Sequence, residues 1–404
     1  MRFRNLDDAD VNGKRVLVRV DLNVPMHDGE VADVSRIERN APTITEIADR
    51  GGKVILLSHY GRPKGRDPKE SLKPVVAAVA RIIGRPIAFA DDCIGGVAEQ
   101  AVARLKPGDI LCLENTRFYK GEERNDPALA AALAKLGDIY VDDAFSVAHR
   151  AHASVEATAH LLPAYAGRAM QEELAALEKA LHTPQRPVAA IVGGAKVSTK
   201  LDLLGNLLNH VDTLIIGGGM ANTFLAAQGK AVGKSLCEND LVPIARDILA
   251  KATSLKREIV LPVDVVVAQT FAAHAPSRVV SVDEVGENDM ILDIGPRTVE
   301  FVISVLARTK TLVWNGPFGA FEMEPFDTGT VEVAEAAAEL TADGKLVSIA
   351  GGGDTMAALN LAGVTGRFTY VSTAGGAFLE WLEGKVLPGV EVLKAPPPPA
   401  AASS

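Results

Sequence analysis

The chain has 404 residues, 48% hydrophobic and 23% charged, with a formal net charge of -9. That length exceeds one ordinary core and predicts two large domains. The acidic balance argues against a general nucleic-acid binder, which needs a basic field.

In chain order, short β-rich runs at residues 15–22, 53–58, 109–113 and 139–142 alternate with helical patterns such as 71–83 and 127–136. Leu174, Leu177 and Leu181 recur at helical spacing within 167–183, and Thr183-Pro184-Gln185-Arg186-Pro187 then breaks the pattern. Further β-rich runs follow at 188–192, 213–216, 263–267, 311–314, 346–350 and 369–372, with a helical pattern over 328–340. Many runs are apolar on both faces, as strands between two helix layers are. The alternation predicts an α/β fold with parallel sheets flanked by helices. Residues 1–170 are read as a first domain, 171–184 as a helix and linker leading out of it, and 185–384 as a second domain. The final ten residues contain only Pro, Ala and Ser and read as a disordered tail. Cys93, Cys112 and Cys237 form no CxxC pair and no Cys/His cluster, so a reducing cytoplasm is the expected setting. No signal sequence is evident, and no apolar run approaches the ~20 residues that cross a bilayer. Neither a membrane nor nucleic acid is an expected partner.

Open α/β sheets bind ligands beyond the carboxyl ends of their strands, and here the two halves differ. The first half places polar and basic residues there: Asp21-Leu22-Asn23, Ser58-His59-Tyr60-Gly61-Arg62, Glu114-Asn115-Thr116-Arg117 and the stretch 142–150 ending in Arg150. The second half places glycines there: Gly193-Gly194-Ala195-Lys196, Gly217-Gly218-Gly219, Asn315-Gly316-Pro317, Gly351-Gly352-Gly353-Asp354-Thr355 and Ala374-Gly375-Gly376. Arginine forks suit carboxylate and phosphate. Glycine turns opening helices bring backbone N–H groups to phosphates.

Each signal has a bland counterpart. A lone Gly-Gly turn is ordinary turn chemistry, and a lone arginine is more often a surface ion-pair residue. Asp354 either caps the helix it opens or holds Mg²⁺ against nucleotide phosphates. Lys196 and Lys200 would share one face of a helix begun at the glycine turn, where an anion between them would relieve their repulsion. Gly217 to Asn222 lacks the last glycine of a dinucleotide fingerprint. The run 229–235 is one residue short of a Walker A loop, so Lys234 reads as a solvated charge. With no Ser-His-Asp order and no HExxH, the inventory suits phosphoryl transfer, which needs positioning and charge neutralisation more than covalent help.

Several segments, in shared order and spacing, resemble the phosphoglycerate kinase family along nearly the whole chain: 19–25, 58–63, 113–118, 148–152, 193–197, 314–317, 352–355 and 372–377. The resemblance implies two Rossmann-like lobes across a cleft, a hinge helix between them, and C-terminal residues, about 385–404, returning to the first lobe. It implies reversible, Mg²⁺-dependent phosphoryl transfer from 1,3-bisphosphoglycerate to ADP, giving 3-phosphoglycerate and ATP, by a monomer. It places the phosphoglycerate on Asp21, Asn23, Arg36, His59, Tyr60, Gly61, Arg62, Arg117 and Arg150. The nucleotide falls to Lys196, Lys200, Gly217, Gly218, Asn315, Glu322, Gly352, Gly353, Asp354 and Thr355, with Asp354 at the metal. Arg36, Lys200, Gly375 and Gly376 correspond to groups around the phosphoryl in flight. Asp142, Ser146 and Val147 depart from the family's Asn, Gly and Thr, and Ala374 from a frequent Gly. Two other classes remain. A nicotinamide-dependent dehydrogenase would need the complete fingerprint, and a non-catalytic anion binder would leave the Lys196/Lys200 pair unexplained.

Overall fold

The structure, a computed structural model, describes residues 2–394; the tail expected over 395–404 lies outside them. The chain divides into two compact units, one of residues up to Leu174 and from Val386 onward, the other of Ala175–Lys385.

The first unit carries a parallel sheet of β1 (Arg15–Arg19), β2 (Lys53–Leu57), β3 (Ile87–Ala90), β4 (Ile110–Leu113), β5 (Ile139–Asp142) and β6 (Ala164–Ala166), in the order β3-β4-β2-β1-β5-β6. β1 lies centrally, and Val16, Leu17 and Val18 are all fully buried, which is why the run is apolar on both faces. Its end pairs Arg19 with Leu57 on one side and Asp142 on the other. The polar residues after these strands therefore leave the sheet at one edge. Helices α1 (Ser35–Asp49), α2 (Lys73–Ile83), α3 (Gly95–Ala103) and α4 (Pro127–Ala134) cover the sheet. The last described residues belong to this unit: Arg4 N–H donates to the Leu393 carbonyl at 3.0 Å and Gly389 N–H to that of Ala148 at 2.9 Å. The leucine series lies on α5 (Arg168–Leu177) and a π-helical turn, Glu178–His182; Leu174, Leu177 and Leu181 are all buried.

The second unit repeats the design. Its parallel sheet comprises β7 (Val188–Val192), β8 (Thr213–Ile216), β9 (Glu258–Val260), β13 (Thr311–Asn315), β14 (Val347–Gly351) and β15 (Tyr370–Ser372), in the order β9-β8-β7-β13-β14-β15. Its helices are α6 (Leu201–His210), α7 (Gly218–Ala227), α8 (Val242–Ser254), α9 (Pro296–Ala307), α10 (Thr328–Ala342), α11 (Gly353–Leu361) and α12 (Gly376–Leu382). One expectation needs correction. The run 263–267 does not join the parallel sheet. As β10 (Asp264–Ala268) it sits between β11 (Ser277–Ser281) and β12 (Met290–Ile294) in a separate antiparallel sheet. Its valines look like those of a central strand, yet a short return through half-exposed β11 demands antiparallel pairing. Among the described residues, no helix is long and apolar enough to cross a membrane.

Candidate active site

In the first unit, most of the expected binding residues form one hydrogen-bonded group at the carboxyl edge of the sheet. Asp21 opens an Asx turn, its Oδ1 accepting from Asn23 N–H at 3.1 Å. Arg36, on the first turn of α1, donates through Nη1 to the Asn23 carbonyl at 2.8 Å and to Asp21 Oδ1 at 3.3 Å. Ser146 donates to Asp21 Oδ2 at 2.6 Å. Asn23 Oδ1 accepts from Gly61 N–H at 2.9 Å, and Arg117 Nη1 donates to the Gly61 carbonyl at 2.8 Å. Gly61 has φ +61, and a Cβ there would lie 2.4 Å from Glu70 Oε1, so this turn requires glycine. Tyr60 is held by Asn115, which accepts from its N–H at 3.1 Å and donates to its carbonyl at 2.7 Å. Arg62 and Arg150 are exposed; the first is anchored through its N–H on Glu70 at 3.0 Å, and the second donates to His149 Nε2 at 3.2 Å.

One buried group behind this surface, Arg19, was not singled out by the sequence. Arg19 is fully buried. It donates through Nε to Ser154 Oγ at 2.9 Å, through Nη1 to the Val20 carbonyl at 2.5 Å, and through Nη2 to His59 Nδ1 at 3.0 Å. A guanidinium has no acceptor, so His59 Nδ1 is bare and the ring proton sits on Nε2. Burial, then the charges of Arg19 and Arg117, drive the His59 pKa far below the ordinary imidazole value. His59 is therefore a neutral donor, not a general base. Asp142, which would add a negative charge where the family has Asn, is fully buried at the end of β5. Desolvation pushes its pKa up to about 7, so only about half of the added charge is present at neutral pH.

In the second unit the glycine clusters divide into two kinds. Those after β7, β8 and β13 interlock. A Cβ on Gly193 would lie 1.9 Å from the Pro317 carbonyl oxygen, on Gly218 2.5 Å from that of Gly194, and on Gly316 2.2 Å from that of Gly193. Gly218 N–H already donates to the Phe318 carbonyl at 2.8 Å. These glycines let three strand ends approach each other. After β14 and β15 two glycines are open instead: nothing lies within 4 Å of a Cβ on Gly353 or Gly375, whereas one on Gly352 would lie 2.7 Å from Asn315 Nδ2. Gly352 adopts φ +104 as the cap of α11, so the N–H groups of Gly353, Asp354 and Thr355 precede the first intrahelical bond, Met356 N–H to Gly352. Ala374 N–H is taken by Ser372 Oγ at 3.1 Å, leaving Gly375 and Gly376 as the open amides of that turn.

Two cavities meet here, sharing Gly194, Ala195 and Asp354. The smaller, ≈ 230 Å³, is lined by Lys196, Lys200, Asn315 and the turn from Gly352 to Thr355. The larger, ≈ 620 Å³, is mostly apolar, with Leu236, Phe271, Phe318 and Phe321 among its walls and Glu322 at its border. Gly218 borders the larger one, and Gly217 caps α7 behind it. Such a pair suits an apolar ring system joined to a polyanion. Lys234, read as solvated, is exposed but borders the larger cavity. Lys196 and Lys200 do not share a helical face: a 3-10 turn, Val197–Thr199, separates them, and α6 begins only at Leu201. Lys200 Nζ donates to Asn315 Oδ1 at 2.5 Å, and Asn315 Nδ2 donates to the Gly351 carbonyl at 2.8 Å. Burial lowers the Lys200 pKa, opposed by the charges of Asp354 and Glu383. The apolar walls of the larger cavity escaped the sequence reading because they are gathered from β12 and from three separate loops that carry Leu236, Phe271, and Phe318 with Phe321.

Magnesium fits this donor set. The Asp354 carboxylate borders both cavities, while among the described residues no group of three or more His, Cys, Asp or Glu could hold a metal ion. One protein carboxylate with the remaining oxygens from phosphate and water is the usual coordination of this ion.

The phosphoglycerate kinase family model matches residues 6–385. A phosphoglycerate kinase of Bradyrhizobium diazoefficiens is 66% identical over 393 residues, covering 97% of this chain and 99% of the relative. One from Rhodopseudomonas palustris is 64% identical, covering 97% and 98%. The solved phosphoglycerate kinase of Coxiella burnetii superposes with a TM-score of 0.92 at 44% identity, covering 97% of this chain and 99% of that one. The chain belongs to the phosphoglycerate kinase family, and its activity is the glycolytic, Mg²⁺-dependent phosphoryl transfer between 1,3-bisphosphoglycerate and ADP.

Proposed function

We propose that the two units divide this reaction between them. The first unit holds the phosphoglycerate through Asp21, Asn23, Arg36, His59, Tyr60, Gly61, Arg62, Arg117 and Arg150. The second holds the nucleotide through Lys196, Lys200, Asn315, Glu322, the Gly217–Gly218 turn and the turn from Gly352 to Thr355. The meeting of an apolar and a cationic cavity at Asp354 carries this reading. Asp354 and the nucleotide phosphates would hold Mg²⁺, which when bound offsets phosphate charge and orients the chain. Bending around 171–184 aligns donor and acceptor and excludes water, which would otherwise consume the acyl phosphate. Lys200 and Arg36 then offset charge on the transferring group, and the Gly375 and Gly376 amides donate to it. His59 contributes its Nε2 proton as a neutral hydrogen-bond donor. The enzyme works as a monomer in the cytoplasm, in keeping with three free cysteines of which two are buried.

Titration calorimetry on two variants tests the division. Lys196→Ala should weaken Mg-ADP binding and leave 3-phosphoglycerate binding unchanged, while Arg62→Ala should do the reverse. Both ligands weakening equally in either variant would refute it. Lys200→Ala should lower turnover by about 10²–10³, and near-normal turnover would remove its assigned role. Small-angle scattering should show contraction only with both substrates bound.

A further inference from the structure

Lys196 and Lys200 stand at the two ends of the turn Val197–Thr199, as its N-cap and C-cap. A 3-10 turn of three residues holds itself weakly. Two bonds close this one from within: Thr199 Oγ1 donates to the Lys196 carbonyl at 2.9 Å, and Lys200 N–H to that of Val197 at 2.9 Å. A lysine at the N-cap has no side-chain acceptor for the first amides of its turn. That acceptor comes instead from Glu238, 40 positions on. Its Oε2 accepts from Ser198 N–H at 3.0 Å and its Oε1 from Ser198 Oγ at 2.5 Å. Glu238 is itself fixed to α7. Its N–H donates to Thr223 Oγ1 at 3.1 Å, and Asn222, where a dinucleotide fingerprint would have its last glycine, donates through Nδ2 to the Leu236 carbonyl at 3.1 Å. The start of the same segment is tied to β12 and the residue before it: Lys234 N–H donates to the Asp289 carbonyl at 2.8 Å, and Ser235 Oγ accepts from Ile291 N–H at 2.8 Å.

We propose that Glu238 is a positioning residue for nucleotide binding: it caps the turn between the two lysines from outside both cavities, and so sets where Lys196 projects. This rests on the assignment of Lys196 to the nucleotide. Glu238 borders neither the larger nor the smaller cavity, whereas Lys196 lines the smaller one. Lys200 depends on the cap less, because Asn315 braces its ammonium. No such brace holds the Lys196 side chain among the described residues. Charge and geometry predict opposite signs here. Glu238 brings a negative charge to the edge of a site read as binding phosphates, so removing that charge alone would tighten Mg-ADP. Loss of the cap would weaken it.

The test uses the full chain and titration calorimetry. In Glu238→Ala the Kd for Mg-ADP should rise about three- to tenfold. The Kd values for 3-phosphoglycerate and for adenosine, which carries no phosphate, should match the parent. Glu238→Gln removes the charge but keeps an acceptor, and should recover most of the loss. On a Lys196→Ala background, Glu238→Ala should add less than about twofold, because the side chain it positions is gone. Steady-state assays of Glu238→Ala should place the effect in KM for Mg-ADP more than in kcat. A general disturbance of the second unit would weaken adenosine as well, and would add in full to Lys196→Ala. Unchanged or tighter Mg-ADP binding in Glu238→Ala, an equal loss for adenosine, or full additivity with Lys196→Ala overturns the proposal. Unaltered Mg-ADP binding in Lys196→Ala alone would instead overturn the nucleotide assignment on which it rests.

Discussion

The anion sites proposed for the two units are built by opposite means. In the first, the donors are long side chains, and the backbone serves to aim them: the Asn23 carbonyl accepts from Arg36, that of Gly61 from Arg117 and that of Val20 from Arg19. In the second, the backbone supplies the open amides, and side chains serve to brace it, as Asn315 does between Lys200 and the Gly351 carbonyl. A surface of guanidinium groups tolerates small shifts, because each arginine is separately tethered. A surface of amides does not, because its geometry is the packing of strand ends. Losing one arginine should therefore weaken binding, whereas adding one methyl group in the wrong glycine should destroy a site.

The sharpest test of that contrast is Gly316→Ala. Gly316 sits at φ +105, and its Cβ would lie 2.2 Å from the Gly193 carbonyl oxygen, so backbone must move on both strands. We expect a loss of about 2–4 kcal/mol in the stability of the second unit and loss of nucleotide binding, with 3-phosphoglycerate binding retained. Gly353→Ala is the counter-test: open space surrounds that Cβ, and thermal unfolding should be almost unchanged. Equal destabilisation by the two would mean that the interlocked and open glycines do not differ.

On the arginine side the expected effect is smaller. Arg62→Ala removes one exposed fork whose N–H anchor on Glu70 survives. A hydrogen bond to a charged group contributes roughly 1.5–3 kcal/mol, so the KM for 3-phosphoglycerate should rise about 10- to 100-fold, with the unfolding temperature unaltered. A matching fall in stability would show that this surface, too, is a packing device.

Behind the first surface, Asp142 gives a pH-dependent test. Its folded pKa, about 7, lies above the ordinary 3.8 because desolvation opposes ionisation. The stability contributed by the protonated carboxyl is complete below 3.8 and is lost as pH rises through 7. Asp142→Asn keeps an acceptor for Ala144 N–H, which now donates to Oδ1 at 3.0 Å, and cannot ionise. Relative to the parent, the variant should gain about 2 kcal/mol between pH 5 and pH 8, read from urea unfolding at both values. A gap that stays constant with pH would contradict the buried, protonated assignment.

The architecture was legible wherever strands were apolar on both faces and ended in glycine or charge, as at β1, β7 and β14. Legibility failed where local and tertiary signals part. β11 is half-exposed and reads as loop, so the antiparallel sheet was not recognised and β10 was assigned to the wrong one. Pro42 lies inside α1 and obscures its helical pattern. Lys196 and Lys200 line the same cavity without the shared helical face expected of them, because a one-turn delay in the start of α6 cannot be read from spacing. Arg19 was hidden because an arginine in a strand looks like an edge residue until burial on both sides is known. The apolar cavity wall shows itself in the exposure of Leu236, 50%, and Phe271, 63%, which sequence alone cannot show.

The smallest effect should come from the opposite end of the same strand that holds Arg19. Arg15 begins β1 and makes a two-point pair with Asp138, 2.7 Å from Nη2 to Oδ1 and 3.2 Å from Nε to Oδ2. The same residue type, four positions earlier, faces water instead of His59: its side chain is 37% exposed and that of Asp138 40%. Exposed pairs contribute about 1 kcal/mol or less even with good geometry. Arg15→Ala should therefore lower stability by no more than that, an effect that fades in high salt. Its kcat and KM should match the parent, because the amino end of a parallel strand lies a full strand length from the edge where ligands bind. A change in KM for 3-phosphoglycerate here would mean that charge at the amino end of β1 reaches the site through the strand, and that position along it does not separate structural from functional arginines.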